Sequence, residues 1–169
     1  GIIPPLQAFW VRVATGNSSA SLTFNNSMRS HESGTNRLKV PVSKSLEQQV
    51  LRLQVSNGIN SDEAIILFNP NASNVFDDYD SPKMTNANVV IPEIYTMAGT
   101  EKVVINGLNS IPYDTEIPLG FTTGQTNTFT IKNTQFNNFQ TATKVILRDK
   151  QLNIERDLTV DDYTFTSDS

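Results

Sequence analysis

The 169-residue sequence predicts an all-β fold: an antiparallel two-sheet β-sandwich, jelly-roll-like, with about a dozen short strands and almost no helix. Two observations carry this expectation. Apolar and polar residues alternate with period two, as at Leu51, Leu53 and Val55 against Arg52, Gln54 and Ser56, or Phe129 and Ile131 against Thr128, Thr130 and Lys132. Turn chemistry separates the apolar runs, because Asn57-Gly58, Ala98-Gly99, Asn106-Gly107 and Thr123-Gly124 tolerate positive φ, while Pro70, Pro82 and Pro112 punctuate loops.

In chain order the strand candidates are residues 6–13, 21–24, 37–42, 51–56, 64–68, 89–95, 102–105, 116–121, 128–132, 144–148, 152–158 and 163–166. A single helical turn is conceivable at 73–79, where Ser73 could cap it. Its later Asp residues would then face the negative end of the helix dipole, which argues against it. No fixed-period repeat is present, which excludes propellers and solenoids.

With 37% hydrophobic residues, the chain can bury one core and reads as a single domain over 1–169. Cysteine is absent, which removes disulfides and thiolate metal sites and says nothing against an extracellular setting. A net charge of -4 and the lack of any basic run argue against nucleic acid and membrane-surface partners. No apolar stretch is long enough for membrane insertion as a helix. Asn, Ser and Thr make up about 30% of the chain, a neutral, hydrogen-bonding surface suited to extracellular β-proteins. Since Gly1 opens directly in a strand-like run, the chain reads as a segment of a longer precursor whose export signals lie outside it.

Chemistry-bearing residues are sparse. His31 is the only histidine and sits in a polar loop, no G-x-S-x-G elbow is present, and neither a dinucleotide fingerprint nor a P-loop occurs, so cofactor enzymes are unsupported. The seventeen acidic residues allow carboxylate pairs in principle, but an acid-catalysed hydrolase needs two that converge with one pKa raised. The densest oxygen cluster is Asp77, Asp78 and Asp80, with Asp62 nearby in the chain. These are the candidate ligands for a structural calcium ion, although the glycine and terminal glutamate of an EF-hand loop are missing. Tyr79, Tyr113, Phe136, Asn137 and Asn138 are candidates for glycan stacking and hydrogen bonding, whereas Trp10 and Phe139 are expected in the core.

Several blocks taken together resemble a recurring module of exported Bacteroidota proteins. The opening Pro4-Pro5-Leu6-Gln7-Ala8-Phe9-Trp10-Val11 resembles its PPxQ(G/A)FWV strand. Residues 51–57, Asp62-Glu63-Ala64 and the run from Phe76-Asp77 through Tyr79-Asp80-Ser81 to Lys83-Met84 follow its next block in order and spacing. Ile94-Tyr95-Thr96, Ile105-Asn106-Gly107, residues 117–121 and the tail 145–165 continue the likeness over nearly the whole chain. The resemblance implies type IX secretion, a place upstream of a C-terminal sorting domain, and a surface or extracellular location. It also implies a further DRFxLxF strand that this chain does not contain, leaving Tyr163, Thr164, Phe165 and Thr166 as an edge for a neighbouring strand. The expected role is non-catalytic, in structural display or adhesion beside neighbouring domains of the parent chain. The alternative is a carbohydrate-binding module of a polysaccharide-degrading protein.

Overall fold

The computed structural model describes residues 11, 13, 16–29, 48–111, 113 and 116–167. The chain divides into two compact units, Gly1–Ser45 and Leu46–Ser169, where the sequence reads as one domain. In the first unit the described residues form no strand. Their one regular feature is a 3₁₀ turn over Asn26–Met28, capped by the Asn25 side chain, which accepts the Ser27 N–H. Residues 21–24, expected as a strand, lie outside any ladder. The candidates at 6–13 and 37–42, with Trp10 and His31, fall outside the described residues apart from Val11 and Val13, which belong to no strand.

The second unit is all-β. Its strands are β1 (Gln49–Ser56), β2 (Ser61–Phe68), β3 (Ser81–Pro82), β4 (Glu93–Ala98), β5 (Glu101–Leu108), β6 (Leu119–Thr122), β7 (Asn127–Asn137), β8 (Ile146–Asp149), β9 (Ile154–Asp157) and β10 (Tyr163–Ser167). One curled sheet runs in the order β10-β7-β1-β2-β5-β4-β6, with β3 paired to β5, and β8 and β9 form a small second sheet. The expected antiparallel pairing needs one correction: β2 and β5 are parallel, with Ile65 opposite Ile105 and Leu67 opposite Gly107. β5 follows β4 by a tight turn at Gly99, at φ +62°, and so returns alongside β2 in β2's own direction.

Leu51, Leu53 and Val55 of β1, Ala64, Ile66 and Phe68 of β2, Ile94, Phe129, Ile131, Leu158 and Tyr163 form one buried cluster. Leu147 and Val145 pack against it, so the hairpin β8–β9 and its flanks contribute to the same core. Two bulges redirect apolar residues toward that face. In β7, Thr134 is the extra residue between the pairs Leu53–Asn133 and Arg52–Gln135, which turns Phe136 to the side of Leu51. In β5, Val104 is extra opposite β3, and both Val103 and Leu108 reach the core side although five positions apart.

Candidate functional site

The connection from β2 to β3 (residues 69–80) contains the predicted oxygen cluster. Asp77 Oδ1 accepts the Tyr79 N–H at 2.7 Å and its Oδ2 the Ser73 N–H at 2.6 Å. Asp80 Oδ1 accepts the Gly107 N–H and Oδ2 the Asp77 N–H, both at 2.8 Å. The four oxygens satisfy loop and strand donors that would otherwise be unpaired. Asp78 is exposed. Asp62 stands elsewhere: Asp80 grips Gly107, opposite Leu67, and Asp62 lies five residues back along β2, about 16 Å at strand rise. The structure therefore does not bring the four carboxylates together, and among the described residues no three His, Asp or Glu converge in a group that could hold a metal ion. Asp62 instead meets Lys83 Nζ and accepts the Ile94 N–H at 2.8 Å.

The predicted aromatic residues separate by environment. Tyr79 is half-buried and covers Gly107, where an added Cβ would come within 2.5 Å of the Tyr79 Cβ. Tyr95, on β4, lays its ring over Gly120 of β6, and the Lys102 ammonium stands 4.4 Å from the ring centroid. Phe136 stacks on Phe139 at 4.1 Å with planes 6° apart, and Phe139 meets Phe68 edge-on at 5.8 Å. Both pack against the core, so the expectation for Phe139 holds and that of Phe136 as a free stacking platform does not. Asn138 adopts φ 65° just beyond β7. Its amide donates to the Gln48 carbonyl at 2.8 Å and its carbonyl accepts from Gln49 Nε2 at 3.1 Å, which ties β7 to the start of β1. Asn137 is exposed and ends the β1–β7 ladder opposite Val50.

Tyr113 differs from all of these, with 78% of its surface exposed. It lines an open cleft of about 390 Å³ together with Gln49, Phe68, Asn109, Ser110 and Gln140. The lining is neutral, rich in amides and carries one free aromatic face, a composition suited to sugar hydroxyls and C–H groups. Asn109 and Ser110 stand a few residues before Tyr113, whereas Gln49, Phe68 and Gln140 are brought to it from parts of the chain distant in sequence.

A second open cleft, about 490 Å³, lies on the sheet face opposite the core and was not foreseen. Arg52 donates to Glu63 Oε2 at 2.7 Å and to Gln135 Oε1 at 3.2 Å, and Gln54 donates to Glu63 Oε1 at 3.3 Å. These are cross-strand neighbours by register, Gln54 opposite Glu63 and Arg52 opposite Gln135.

Among the described residues the carboxyl groups with displaced titration, Glu116, Asp149 and Asp157, all move downward. A hydrogen bond and charge from Lys150 hold Glu116 below its ordinary value. The Tyr163 hydroxyl and the N–H groups of Leu152 and Gln151 do the same for Asp149, and the Thr159 hydroxyl and N–H for Asp157. Burial, followed by the bond to Asp149, pushes the Tyr163 phenol up to about 12.

The predicted edge residues lie in β10, which ends the strand order and, among the described residues, pairs only with β7. Thr164 and Thr166 are exposed, Phe165 is half-buried and Tyr163 is buried. Among the described residues no helix is long and apolar enough to cross a membrane.

No curated protein and no solved structure matches the chain. A family model does, over residues 1–169, under the description "Domain of unknown function (DUF8693)", and the chain belongs to that family.

Proposed function

We propose that the chain is a non-catalytic module of a larger exported Bacteroidota protein, carried by the type IX route to the cell surface or medium, where it serves in structural display or adhesion. One observation carries this reading. The residues behind the resemblance are spent on holding the fold: Asp62 on Lys83 and Ile94, Asp77 and Asp80 on backbone donors, Tyr79 on Gly107, and Gly120 beneath Tyr95. A signature of that kind specifies a scaffold and leaves the chemistry to other domains. Glu116, Asp149 and Asp157 are likewise held in their charged forms by ion pairs and hydrogen bonds, as structural anchors are.

In this reading the finer architecture is a two-sheet, jelly-roll-like sandwich, with β8–β9 belonging to the second layer. Neighbouring domains are the first partners, and the β10 edge accepts a strand from a neighbouring chain. The Tyr113 cleft favours a second reading, a carbohydrate-binding module, because an exposed ring among neutral amides matches a saccharide better than a charged ligand.

The deciding experiment is a glycan array with polysaccharide pull-down on the purified chain, run with calcium and with a chelator. Selective binding abolished by Tyr113→Ala establishes carbohydrate recognition. Chelator sensitivity would assign a metal to the 77–80 loop, against the hydrogen bonding described above. Absence of binding supports display, and release of new reducing ends from any polysaccharide refutes the non-catalytic reading.

A further inference from the structure

Lys83 and Asp62 form the most deeply buried charged contact among the described residues. The Lys83 side chain is 4% exposed and that of Asp62 18%. An ammonium carries three N–H donors, and the one hydrogen-bond acceptor that Lys83 Nζ meets among the described residues is Asp62 Oδ2. That oxygen also takes the Ile94 N–H at 2.8 Å, while Asp62 Oδ1 has no hydrogen bond among the described residues. Two unspent ammonium donors on a side chain withdrawn from water make a costly ion pair, while the Asp62 carboxylate borders the open cleft beside Glu63. A neutral amide between the same atoms would carry one donor and one acceptor, and its acceptor already has a partner.

The backbone fixes this approach from both sides. The Lys83 N–H donates to the Lys102 carbonyl of β5 at 2.8 Å, anchoring the main chain of Lys83 to the sheet. Three residues on, the Asn86 N–H donates to the buried carboxylate of Glu93, which directly precedes Ile94. Glu93 is thus a positioning residue for the segment that carries Lys83. Asp62, second residue of β2, is fixed by its place in the ladder opposite Val55.

We propose that Lys83 and Asp62 join in an intramolecular isopeptide bond. In the reaction a proton passes from Lys83 Nζ to the Asp62 carboxylate and comes to rest on Oδ1, leaving an amine and a carboxylic acid, the two forms between which an amide can form. The Nζ lone pair attacks Asp62 Cγ. Oδ2, held by the Ile94 N–H, takes up the developing negative charge as in an oxyanion hole. As Nζ–Cγ forms, Cγ–Oδ1 breaks, and Oδ1 leaves as water with its proton and a second from Nζ. The product amide keeps one N–H, and its oxygen keeps the Ile94 bond. No oxidant, reductant or co-reactant is consumed, and fixed proximity supplies the driving geometry. The link closes the chain between β2 and β3 in a protein that has no cysteine with which to do so.

Intact-mass spectrometry of the purified, denatured chain tests this directly. The expected mass is one water below that of the sequence, with a proteolytic fragment joining the Asp62 peptide to the Lys83 peptide. Asp62→Ala and Lys83→Arg should each restore the full sequence mass, and Asp62→Asn should lose ammonia in place of water. A wild-type mass equal to the sequence, or a water loss mapped to any other residue pair, overturns the proposal. The wild-type result decides the matter even where a variant fails to fold.

Discussion

Tyr163→Phe isolates one hydrogen bond that ties the two sheets together. The Tyr163 hydroxyl donates to Asp149 Oδ2 at 2.6 Å, joining the first residue of β10 to the last of β8, while Asp149 Oδ1 receives the Gln151 and Leu152 N–H groups of the hairpin turn at 2.8 Å. The phenol is 5% exposed and its ring stacks on Phe165, so phenylalanine keeps the packing and removes only the donor. A hydrogen bond to a charged partner is worth about 1.5–3 kcal/mol. For a domain of this size the melting temperature should fall by roughly 3–12 °C near neutral pH. Tyr163 titrates near 12 in the fold against about 10 in an unfolded chain, a difference worth up to about 2.7 kcal/mol. Because the folded value is the higher one, this stabilisation is complete below about pH 10 and disappears as pH climbs through about 12. Asp149 has the opposite sign: its folded value lies below 3.8, so its contribution is present above that pH and is lost as pH falls through the lowered value. Thermal unfolding of both proteins by circular dichroism across pH should show a constant gap in the middle range that narrows at both ends. A variant as stable as the parent, or a gap unchanged above about pH 10, would refute the reasoning.

Other expectations rest on packing. Leu53→Asp puts a carboxylate into a site 5% exposed, beside Ala64 and Asn133. Losing the leucine costs about 2–5 kcal/mol before the unpaired charge is counted, so the purified variant should show no cooperative melting transition. Gly107→Ala drives a methyl to within 2.5 Å of Tyr79 Cβ, and denaturant titration should show a loss of about 1–3 kcal/mol. Phe136→Ala removes a ring stacked on Phe139 and should lower stability by up to about 3–5 kcal/mol, less for its partial exposure, without changing glycan binding. Tyr113→Ala should change stability by no more than about 0.5 kcal/mol, as surface substitutions do, and abolish any saccharide retention.

The strands legible in the sequence are those whose two faces differ in polarity. β1 and β7 follow the alternation directly, and β2, β5, β8, β9 and β10 fall where apolar runs meet turn residues, with ends shifted by a few positions. β4 begins later than expected, at Glu93, because the apolar residues Val89 to Ile91 are taken by a turn. There Asn88 accepts the Val90 N–H with its side chain and the Ile91 N–H with its carbonyl, and Pro92 follows with no donor of its own. β3 is two residues long and carries no pattern at all. Among candidate site residues, Asp77 and Asp80 looked like metal ligands because their oxygens are dense in sequence. Their real partners, at Ser73, Tyr79 and Gly107, are backbone N–H groups that no side-chain pattern announces.

Sequence by itself determined the all-β class, the positions of most strands in the second unit and the apolar face of β1, because alternation along a strand is local and reads directly as inside and outside. Tertiary structure alone decided that β5 lies parallel to β2, that bulges at Val104 and Thr134 redirect the residues beyond them, and that Lys83 meets Asp62. Each of these depends on which segments pair across long stretches of chain. Parallel and antiparallel partners bury the same alternating face, so the local pattern cannot distinguish them.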